Sequence, residues 1–388
     1  MAKKDAIEQI EIEAPYELPE GWRWKTLGNT CDMYQPKTIS TKELIDDGKY
    51  LVYGANGVIG RYDKYNHEKA QLLITCRGAT CGAVNISEPF SWINGNAMVI
   101  NPKDENLDLK YLAYIFQSEV NFNKVITGSA QPQITRQSLL PVIFPLPPTL
   151  AEQQRIVNRI ETMFAKLDQA QEKAQAVLDN FETRKAAILH KAFTGELTAN
   201  WRKENGMSDD SWEEKTLGEA MHLQAGKNIS ANKISKENNN TNQYPCFGGN
   251  GIRGYVDTFN NEGSFPIIGR QGALCGNLNF ATGKFYATEH AVVVSCPSTI
   301  NPIWAYYTLK TMNLNQYATA TAQPGLAVSN IVKLNIFVPS LSEQQEIVRI
   351  LDTVLEKESR AKEAAQTVLD QIALLKKSIL ARAFRGEL

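Results

Sequence analysis

Two long stretches of the chain place apolar residues at alternating spacings of three and four, the pattern of a helix that buries one stripe. The first stripe covers residues 156–188 and the second covers residues 347–379. Thr149 and Ser340 stand shortly before them, each followed three positions later by Glu. This spacing predicts a capping box at each helix start, and a glycine beyond each stripe predicts each helix end. About forty residues at ~1.5 Å each predict a rod of roughly 60 Å.

Each stripe carries one charged residue among its apolar positions. Arg184 interrupts the first stripe and Glu358 interrupts the second. A helix with such a stripe needs an apolar partner, and both helices lie in one chain. We therefore expect them to pair with each other as a coiled coil.

The remainder of the chain has short apolar runs between frequent turn residues. Residues 72–75 and 291–294 are runs of strand type. Residues 109–123 and 302–314 have helical character instead. This mixture predicts the α+β fold class, with globules of partly α/β character and much irregular loop.

The chain is an internal duplication, because motifs of its first half return at an offset of 190 to 194 residues. The repeated motifs include Trp22-x-x-Lys25-Thr26-Leu27-Gly28 with Trp212-x-x-Lys215-Thr216-Leu217-Gly218, and Gly78-Ala79-Thr80-Cys81-Gly82 with Gly272-Ala273-Leu274-Cys275-Gly276. The duplicated order predicts that the two helices run antiparallel, with one globule near each end of the pair. The predicted segments are a globule at 1–148, a central helix at 149–197, a globule at 198–339 and a C-terminal helix at 340–388.

Composition restricts the class of protein without identifying it. The 388 residues are 43% hydrophobic and 21% charged, which is typical of globular proteins with two or three cores. No apolar run is long enough for a membrane span, and the N-terminus does not resemble a signal peptide. We therefore expect a cytoplasmic protein with no membrane partner, whose six cysteines are reduced thiols.

Charge is distributed unevenly along a chain whose net charge is -1. Residues 21–150 carry thirteen basic and eleven acidic side chains, and residues 220–341 carry eight and four. The two globules are thus mildly basic, which is compatible with nucleic-acid binding.

Motifs of catalytic or cofactor-binding proteins are weak in this sequence. Gly249-x-Gly251-x-x-Gly254 matches a dinucleotide fingerprint as a string, but the residues that follow do not open a helix. A tight turn is the favoured interpretation. The sequence has no phosphate-binding loop of the GxxxxGK[ST] type and no His/Cys cluster with metal-ligand spacing. We expect no catalytic residues, no cofactor and no metal in this chain.

The starts and ends of the two helices resemble those of the specificity subunit of Type I restriction-modification systems. The first helix begins with Leu146-Pro147-Pro148-x-x-x-Glu152-Gln153-Gln154, and the second with Val338-Pro339-Ser340-Leu341-Ser342-Glu343-Gln344-Gln345, which lacks the second proline. The helices end in Phe193-x-Gly195-Glu196-Leu197 and Phe384-x-Gly386-Glu387-Leu388. The resemblance covers essentially the whole chain.

This resemblance implies a non-catalytic DNA-binding protein. Each globule would be a target recognition domain that reads one half of a bipartite, asymmetric site in double-stranded DNA. The helices would space the two domains and dock two DNA methyltransferase subunits, which restriction/motor subunits can join. S-adenosylmethionine would be a cofactor of the methyltransferase and not of this chain.

Candidate DNA-binding residues are polar or basic side chains near the glycine-rich turns, since donors and acceptors on exposed loops read base edges and contact phosphates. In the first globule they are Asn56, Arg61, Lys64, Arg77, Asn94, Asn96 and Arg136. In the second they are Lys227, Asn228, Asn250, Arg253, Arg270, Gln271 and His290. Residues that differ between the copies, such as Arg77 against Gln271, are the better candidates for discriminating sequences.

Other interpretations stay open at this point. Asn56 and Asn250 recur in both copies, so they could instead be the left-handed residue of a repeated turn. Gln131 and Gln323 also recur and are better interpreted as framework. At the level of the whole chain, the alternatives are a coiled-coil adaptor that binds proteins and, more remotely, a stand-alone enzyme.

Overall fold

The computed structural model describes residues 14–54, 56–78, 80–128, 132–208, 210–272, 274–318 and 324–388. Contacts divide the chain into two compact units. Unit 1 comprises Met1–Gln175 with Thr367–Leu388, and unit 2 comprises Ala176–Gln366. Each unit therefore combines one globule with a segment of each long helix. Among the described residues, no helix is both long and apolar enough to cross a membrane.

The strands of unit 1 form three small sheets. They are β1 (Arg23–Thr26), β2 (Cys31–Tyr34), β3 (Tyr50–Gly54), β4 (Gly57–Tyr62), β5 (Leu72–Thr75), β6 (Val84–Ile86), β7 (Trp92–Ile93), β8 (Ala97–Pro102) and β9 (Ile143–Leu146). β1 pairs with β9, a four-stranded sheet has the order β2-β8-β5-β6, and a three-stranded sheet has the order β4-β3-β7. The β3–β7 pair is parallel and the other pairs are antiparallel.

The strands of unit 2 repeat this arrangement. They are β10 (Glu213–Thr216), β11 (His222–Ala225), β12 (Tyr244–Gly248), β13 (Gly251–Val256), β14 (Asn261–Gly269), β15 (Leu278–Ala287), β16 (Ala291–Ser295) and β17 (Asn335–Val338). β10 pairs with β17, and the other six strands form one sheet of order β11-β16-β14-β15-β12-β13. The 10-residue β15 occupies the positions that β6 and β7 hold separately in unit 1. The predicted duplication is thus present in the topology.

Helices complete both units. In chain order they are α1 (Leu27–Thr30), α2 (Leu109–Ser118), α3 (Phe122–Val125), α4 (Arg136–Leu139), α5 (Leu150–Asp179), α6 (Phe181–Phe193), α7 (Ala199–Glu204), α8 (Leu217–Ala220), α9 (Pro302–Thr311), α10 (Val328–Ile331) and α11 (Leu341–Phe384). The mixture of helices and sheets confirms the predicted α+β class.

The long helices run antiparallel within each unit. In unit 1 the start of α5 and the end of α11 share one core, where Ile160 and Phe384 are fully buried, and Asp168 Oδ1 lies 2.5 Å from Lys376 Nζ. In unit 2, Leu189 of α6 shares a core with Leu351 of α11. In both units, earlier residues of one helix meet later residues of the other, as the sequence predicts.

The first long helix is not continuous, contrary to the single central helix that the sequence predicts. It stops at Asp179 and resumes at Phe181, whereas α11 runs without a break for 44 residues. The Asn180 side chain donates to the Ala176 carbonyl at 2.8 Å. Asparagine interrupts helices in this way because its amide competes with the backbone for hydrogen bonds.

The predicted capping boxes form only in part. Thr149 and Ser340 each accept a hydrogen bond from the backbone amide three residues later, at 3.2 and 3.3 Å. In a full capping box, the glutamate side chain also accepts a hydrogen bond from the backbone amide of the capping residue. Other contacts of the two glutamates replace this second bond. Glu343 is buried and bonds instead to Thr198 and Arg202, both at 2.6 Å.

One buried glutamine in each unit attaches the globule to a long helix. Gln153 accepts a hydrogen bond from the Asp108 amide at 2.8 Å and donates to the Asn106 carbonyl at 2.9 Å. Gln344 accepts from the Asn301 amide at 2.7 Å. Asp108 and Asn301 are the N-caps of α2 and α9. The repeated Glu-Gln-Gln motif therefore joins the start of each long helix to the start of a globule helix.

Candidate nucleic-acid interface

Each unit presents a β-hairpin, formed by β3–β4 in unit 1 and by β12–β13 in unit 2. Gly57 (φ 104°) and Gly251 (φ 88°) adopt the left-handed conformation. Within the described residues, neither Asn56 nor Asn250 has a positive φ. The alternative that these asparagines are the left-handed turn residues is therefore wrong, because the glycines that follow them fill that role. Both asparagines are exposed.

The same hairpin geometry explains the Gly249-x-Gly251-x-x-Gly254 motif of unit 2. Gly249 and Gly251 lie at the turn of two antiparallel strands, and Gly254 lies within β13. A dinucleotide site needs such glycines between a strand and a helix, where the helix N-terminus meets the pyrophosphate. This motif therefore forms the tight turn that the sequence analysis favoured.

A second loop is held in place by backbone hydrogen bonds in each unit. In unit 1 the Cys76 amide donates to the Asn96 carbonyl at 3.4 Å, and the Ile134 amide donates to the Cys76 carbonyl at 2.9 Å. The next side chain, Arg77, is exposed. Three loops distant in sequence are thereby brought together around Arg77.

Unit 2 repeats these bonds with different side chains. The Arg270 amide donates to the His290 carbonyl, and the Leu326 amide donates to the Arg270 carbonyl, both at 2.8 Å. The exposed residue that follows is Gln271. Because backbone bonds hold the loop, the side chains can change between copies without loss of the scaffold.

Four of the candidate residues in unit 2 line one open cleft of about 490 Å³. They are Asn250, Arg253, Gln271 and His290, together with Gly249, Gly272 and Leu274. The Asn250 Oδ1 atom accepts a hydrogen bond from Asn277 at 3.0 Å, and His290 Nε2 lies 3.1 Å from Glu289 Oε1. Amide, guanidinium and imidazole groups in one cleft can read several base edges at once.

A β-bulge presents one of these side chains. In the β12–β13 ladder Cys246 pairs with Gly254 and Phe247 pairs with Ile252, which leaves Arg253 as the extra residue. A bulge redirects the side chain of its extra residue. In unit 1 the extra residue of the same bulge is Ile59, an isoleucine that is 43% exposed.

Three predicted residues of unit 1 lie at the positions that are equivalent to cleft residues of unit 2. Asn56, Arg77 and Asn96 are exposed, and they occupy the positions of Asn250, Gln271 and His290 in the repeat. The Asn94 amide binds the Tyr53 carbonyl at 2.9 Å, which places the turn before Asn96 at the end of β3.

Two predicted residues of unit 1 have structural roles. Asn94 is 3% exposed, and its side chain accepts hydrogen bonds from the Ile39 amide at 2.9 Å and the Trp92 indole at 3.2 Å. It is buried and satisfied, so its assignment to DNA is corrected. Arg61 donates to the carbonyls of Gly48 and Lys49 at 2.5 and 3.1 Å, which occupies part of its guanidinium in holding a loop.

The remaining candidates lie outside the cleft. Lys64, Arg136, Lys227 and Asn228 are exposed, and Arg270 is half-buried. Their contact with DNA stays a prediction. The repeated glutamines Gln131 and Gln323 lie outside the described residues.

Apolar members of the surface were missed by the sequence analysis. Leu274 is 52% exposed in the cleft of unit 2, and Ile59 takes the bulge position in unit 1. Apolar side chains can recognise the thymine methyl group. A search limited to polar residues overlooks them, although Ile59 and Arg253 stand at the same position of the repeat.

The described residues contain no cluster of His, Cys, Asp and Glu that could hold a metal ion. Burial raises the pKa of the Cys76 thiol to about 11 and that of the Cys296 thiol to about 12. These thiols stay protonated at neutral pH, which is typical of structural cysteines.

Comparison with known proteins identifies the family. The family model for the Type I restriction modification DNA specificity domain matches residues 19–178 and 209–368. The chain belongs to this family and carries two copies of its DNA specificity domain, one in each half of the duplication. Each match includes a globule and part of the long helix that follows it.

Individual relatives agree with this assignment. The Type I restriction enzyme EcoprrI specificity subunit of Escherichia coli is 56% identical over 138 residues, which are 36% of this chain and 34% of that protein. This match spans about a third of the relative's length. The EcoKI specificity subunit of Escherichia coli strain K12 is 24% identical over 429 aligned positions, which cover 96% of this chain and 90% of that protein.

Solved structures share the fold. The HsdS subunit from Thermoanaerobacter tengcongensis has a TM-score of 0.67 at 18% identity, covering 97% of this chain and all of that chain (100%). A chain from a structure described as showing complex assembly and conformational transition of the type I R-M system has a TM-score of 0.70 at 18% identity, with coverage of 96% and 100%.

Proposed function

We propose that this chain is the sequence-specificity subunit of a Type I restriction-modification complex, in which each domain reads one half of a bipartite DNA site. The observation that supports the proposal most is that the two units share the same backbone scaffold but carry different side chains at equivalent surface positions. Positions of unit 2 and unit 1 correspond as Arg253 to Ile59, Gln271 to Arg77 and His290 to Asn96. Two readers with different side chains would recognise two different half-sites, so the complete site is asymmetric.

The cleft of unit 2 has the chemistry of direct base reading in the major groove. A glutamine can bind adenine through two hydrogen bonds, and an arginine can bind guanine in the same way. The neighbouring Leu274 offers an apolar contact for a thymine methyl group. Each good bidentate contact contributes about 1–3 kcal/mol of discrimination against the wrong base.

Partner subunits would supply the chemistry. The long helices would dock two DNA methyltransferase subunits, which bind S-adenosylmethionine, and restriction/motor subunits would join them. Leu374 of α11, which is 66% exposed and lies outside the apolar stripe, is available for such a contact. The chain itself would be non-catalytic.

Exchange of reading residues between the two copies tests the proposal. In a complex with its methyltransferase, the variant R253I/Q271R/H290N should methylate sites in which one half has changed. The half-site read by unit 1 should be unchanged. Sequencing of methylated bases in the host genome gives the result. The exposed Lys284 lies outside the cleft and provides the control variant K284A, which should keep the original site. A change in both halves, or in neither, would contradict independent readers.

Affinity for DNA provides a second test. The two globules carry few excess positive charges, so phosphate contacts from this chain alone are limited. A methyltransferase that extrudes its target base adds further contacts. We expect weak, salt-dependent binding by the chain and tighter binding by the complex at the same salt concentration. Equal affinities would contradict this, and so would methyl transfer by the purified chain alone.

The spacing role of the helices is testable by lengthening both of them. Because the helices are antiparallel in each unit, an insertion in only one would shift their register. A heptad inserted after Val177 and another after Ala364 would add about 10 Å to both. That length corresponds to about three base pairs at ~3.4 Å each. The variant should prefer a spacer longer by about three unspecified base pairs, and an active variant with the original spacer would assign the spacing to the partner subunits.

A further inference from the structure

One ion pair lies on the seam between the long helices of unit 2. Arg184 Nε of α6 and Glu358 Oε2 of α11 are 2.9 Å apart, and the two side chains are 38% and 22% exposed. Both occupy positions of the helical stripes that are otherwise apolar. The two charged residues that interrupt the apolar stripes of the sequence therefore form one ion pair with each other.

The repeat has apolar residues where this ion pair would recur. Within the helices the offset is 191 residues, as Glu152 and Glu343 show. The same offset relates Glu358 to Leu167 and Arg184 to Leu375, which both belong to unit 1. One unit therefore has Arg and Glu at a seam position where the other has two leucines.

A neighbouring contact shows the same asymmetry. The Lys362 ammonium of α11 lies 4.5 Å from the centre of the Phe181 ring of α6, a cation–π contact. The equivalent positions in unit 1 are Gln171 and Ile372, which cannot form one. The seam of unit 2 is therefore chemically distinct from the seam of unit 1.

This asymmetry distinguishes unlike from like helix pairs. Where the first long helix pairs with the second, Arg184 meets Glu358 and leucine stands opposite leucine. Where two copies of the first helix pair antiparallel, Arg184 of each stands opposite Leu167 of the other. Two copies of the second helix place Glu358 opposite Leu375 in the same way. Like pairs thus put two unpaired charges on the seam, which costs free energy because each loses part of its hydration without gaining a partner.

The other ion pair of the seam has no such effect. Asp168 pairs with Lys376 in unit 1, and the residue equivalent to Lys376 in the first helix is Lys185. A pair of two first helices would therefore re-form this contact. The discrimination rests on Arg184 and Glu358, with support from Phe181 and Lys362.

We propose that the Arg184–Glu358 pair selects the partner of each long helix, so that the first helix of a chain pairs with the second helix and not with its own copy in another chain. A single polar contact can specify helix pairing in this way when the alternatives leave it unsatisfied. The consequence for function is that the two DNA specificity domains of one chain stay together as a fixed combination. The inference concerns assembly and does not depend on what the domains bind.

A variant of unchanged composition tests the proposal in the full-length chain. In L167E/E358L the carboxylate moves to position 167 of the first helix, which then carries it together with Arg184. Two first helices of different chains can now form two ion pairs, and two second helices present only leucines at these positions. Light scattering after size-exclusion chromatography should show the 43.3 kDa chain shift from single-chain mass to multiples of it. We expect at least about a tenfold increase in the associated fraction, since each pair of first helices forms two ion pairs from four charges that are unpaired within single chains.

Two control variants isolate the effect. R184E/E358R reverses the pair and should keep the single-chain mass. The variant L167E/R184L/E358L/L375R moves the ion pair to the equivalent position in unit 1, and it should also keep that mass. If L167E/E358L fails to fold while this fourfold variant folds, the proposal is supported, because a carboxylate at position 167 is then tolerated only with a partner on the other helix.

Other outcomes overturn the proposal. They include an L167E/E358L variant that keeps the single-chain mass with unchanged thermal unfolding, since charge placement would then not select the partner. Failure of both the double and the fourfold variant to fold would overturn the equivalence of the two seam positions. Association of R184E/E358R would show that the charge pair itself is not the selecting contact.

Discussion

The two units have the same scaffold but differ in where they place charge. Both use the same strand order, a hairpin closed by a left-handed glycine and a buried glutamine that joins the helix starts. Beside that glutamine, however, Glu343 of unit 2 forms a buried ion pair with Arg202, whereas Glu152 of unit 1 forms a more exposed one with Arg155. The cleft of unit 2 and the equivalent surface of unit 1 also carry different side chains. Backbone hydrogen bonds and apolar packing therefore fix the scaffold, and they leave individual side chains free to diverge.

The two glutamates should differ most in their effect on stability. Glu343→Gln leaves the buried Arg202 guanidinium without a carboxylate, which should lower the free energy of unfolding by about 3–5 kcal/mol. Glu152→Gln removes a partly exposed pair and should cost less than about 1 kcal/mol. Denaturant unfolding of both variants measures the difference. Equal losses would show that the two helix starts are energetically equivalent despite their different partners.

Replacement of the repeated glutamine should destabilise the protein in both units. Gln344 makes three side-chain hydrogen bonds, to Asn301, Thr299 and Pro339, and Gln153 makes two. Replacing either with alanine leaves buried backbone groups unpaired, at about 1–3 kcal/mol for each group. Thermal unfolding should show a loss for both, larger for Gln344→Ala. The exposed neighbours Gln154 and Gln345 supply matched alanine variants, which should change stability little; comparable losses there would refute the anchoring role.

Asn94 and Asn96 lie in one turn of unit 1, and we expect the first to support the fold and the second to contact DNA. Asn94→Ala should destabilise the protein by about 1–3 kcal/mol, because it removes a buried, hydrogen-bonded amide. Asn96 is exposed, so Asn96→Ala should change stability by less than about 0.5 kcal/mol and alter the preferred half-site. Thermal unfolding and mapping of methylated sites measure the two effects. If Asn94→Ala altered the half-site and left stability unchanged, Asn94 would belong to the DNA interface after all.

The turn glycines give the smallest expected difference. Alanine at Gly57 or Gly251 must adopt a positive φ, which costs roughly 1–2 kcal/mol. A Cβ at Gly251 would also lie 2.9 Å from Asn279 Oδ1, while at Gly57 no atom lies within 4 Å. Gly251→Ala should therefore be the less stable variant, by an amount that chemical unfolding can resolve. Equal stabilities of the two variants would indicate that the Asn279 side chain moves aside freely, and a less stable Gly57→Ala would contradict the prediction.

Much of the fold was predictable because it rests on local patterns that occur twice. Apolar periodicity predicted the two long helices, and the spacing of the capping residues placed their starts within a residue of Leu150 and Leu341. The repeat predicted the antiparallel pairing seen in each unit. The interruption at Asn180 was missed, since a single asparagine in a long helical pattern is only weakly unfavourable.

The candidate site was predicted less well, for a physical reason. Exposure depends on contacts with residues distant in sequence, so Asn94 and Asn96 could not be distinguished from their types or spacing. The extra residue of a bulge depends on register between two strands, which places Arg253 and Ile59 at the surface irrespective of their polarity.

The sequence by itself determined the duplication, the two long helices with their starts and the family to which the chain belongs. These features follow from periodicity and from motifs that local chemistry reads directly. Only the tertiary structure decided that Arg184 meets Glu358, that Glu343 is buried against Arg202, and that Asn250, Arg253, Gln271 and His290 share one cleft. Each of these is a contact between segments far apart in the chain, and the packing of the folded protein decides which side chains meet.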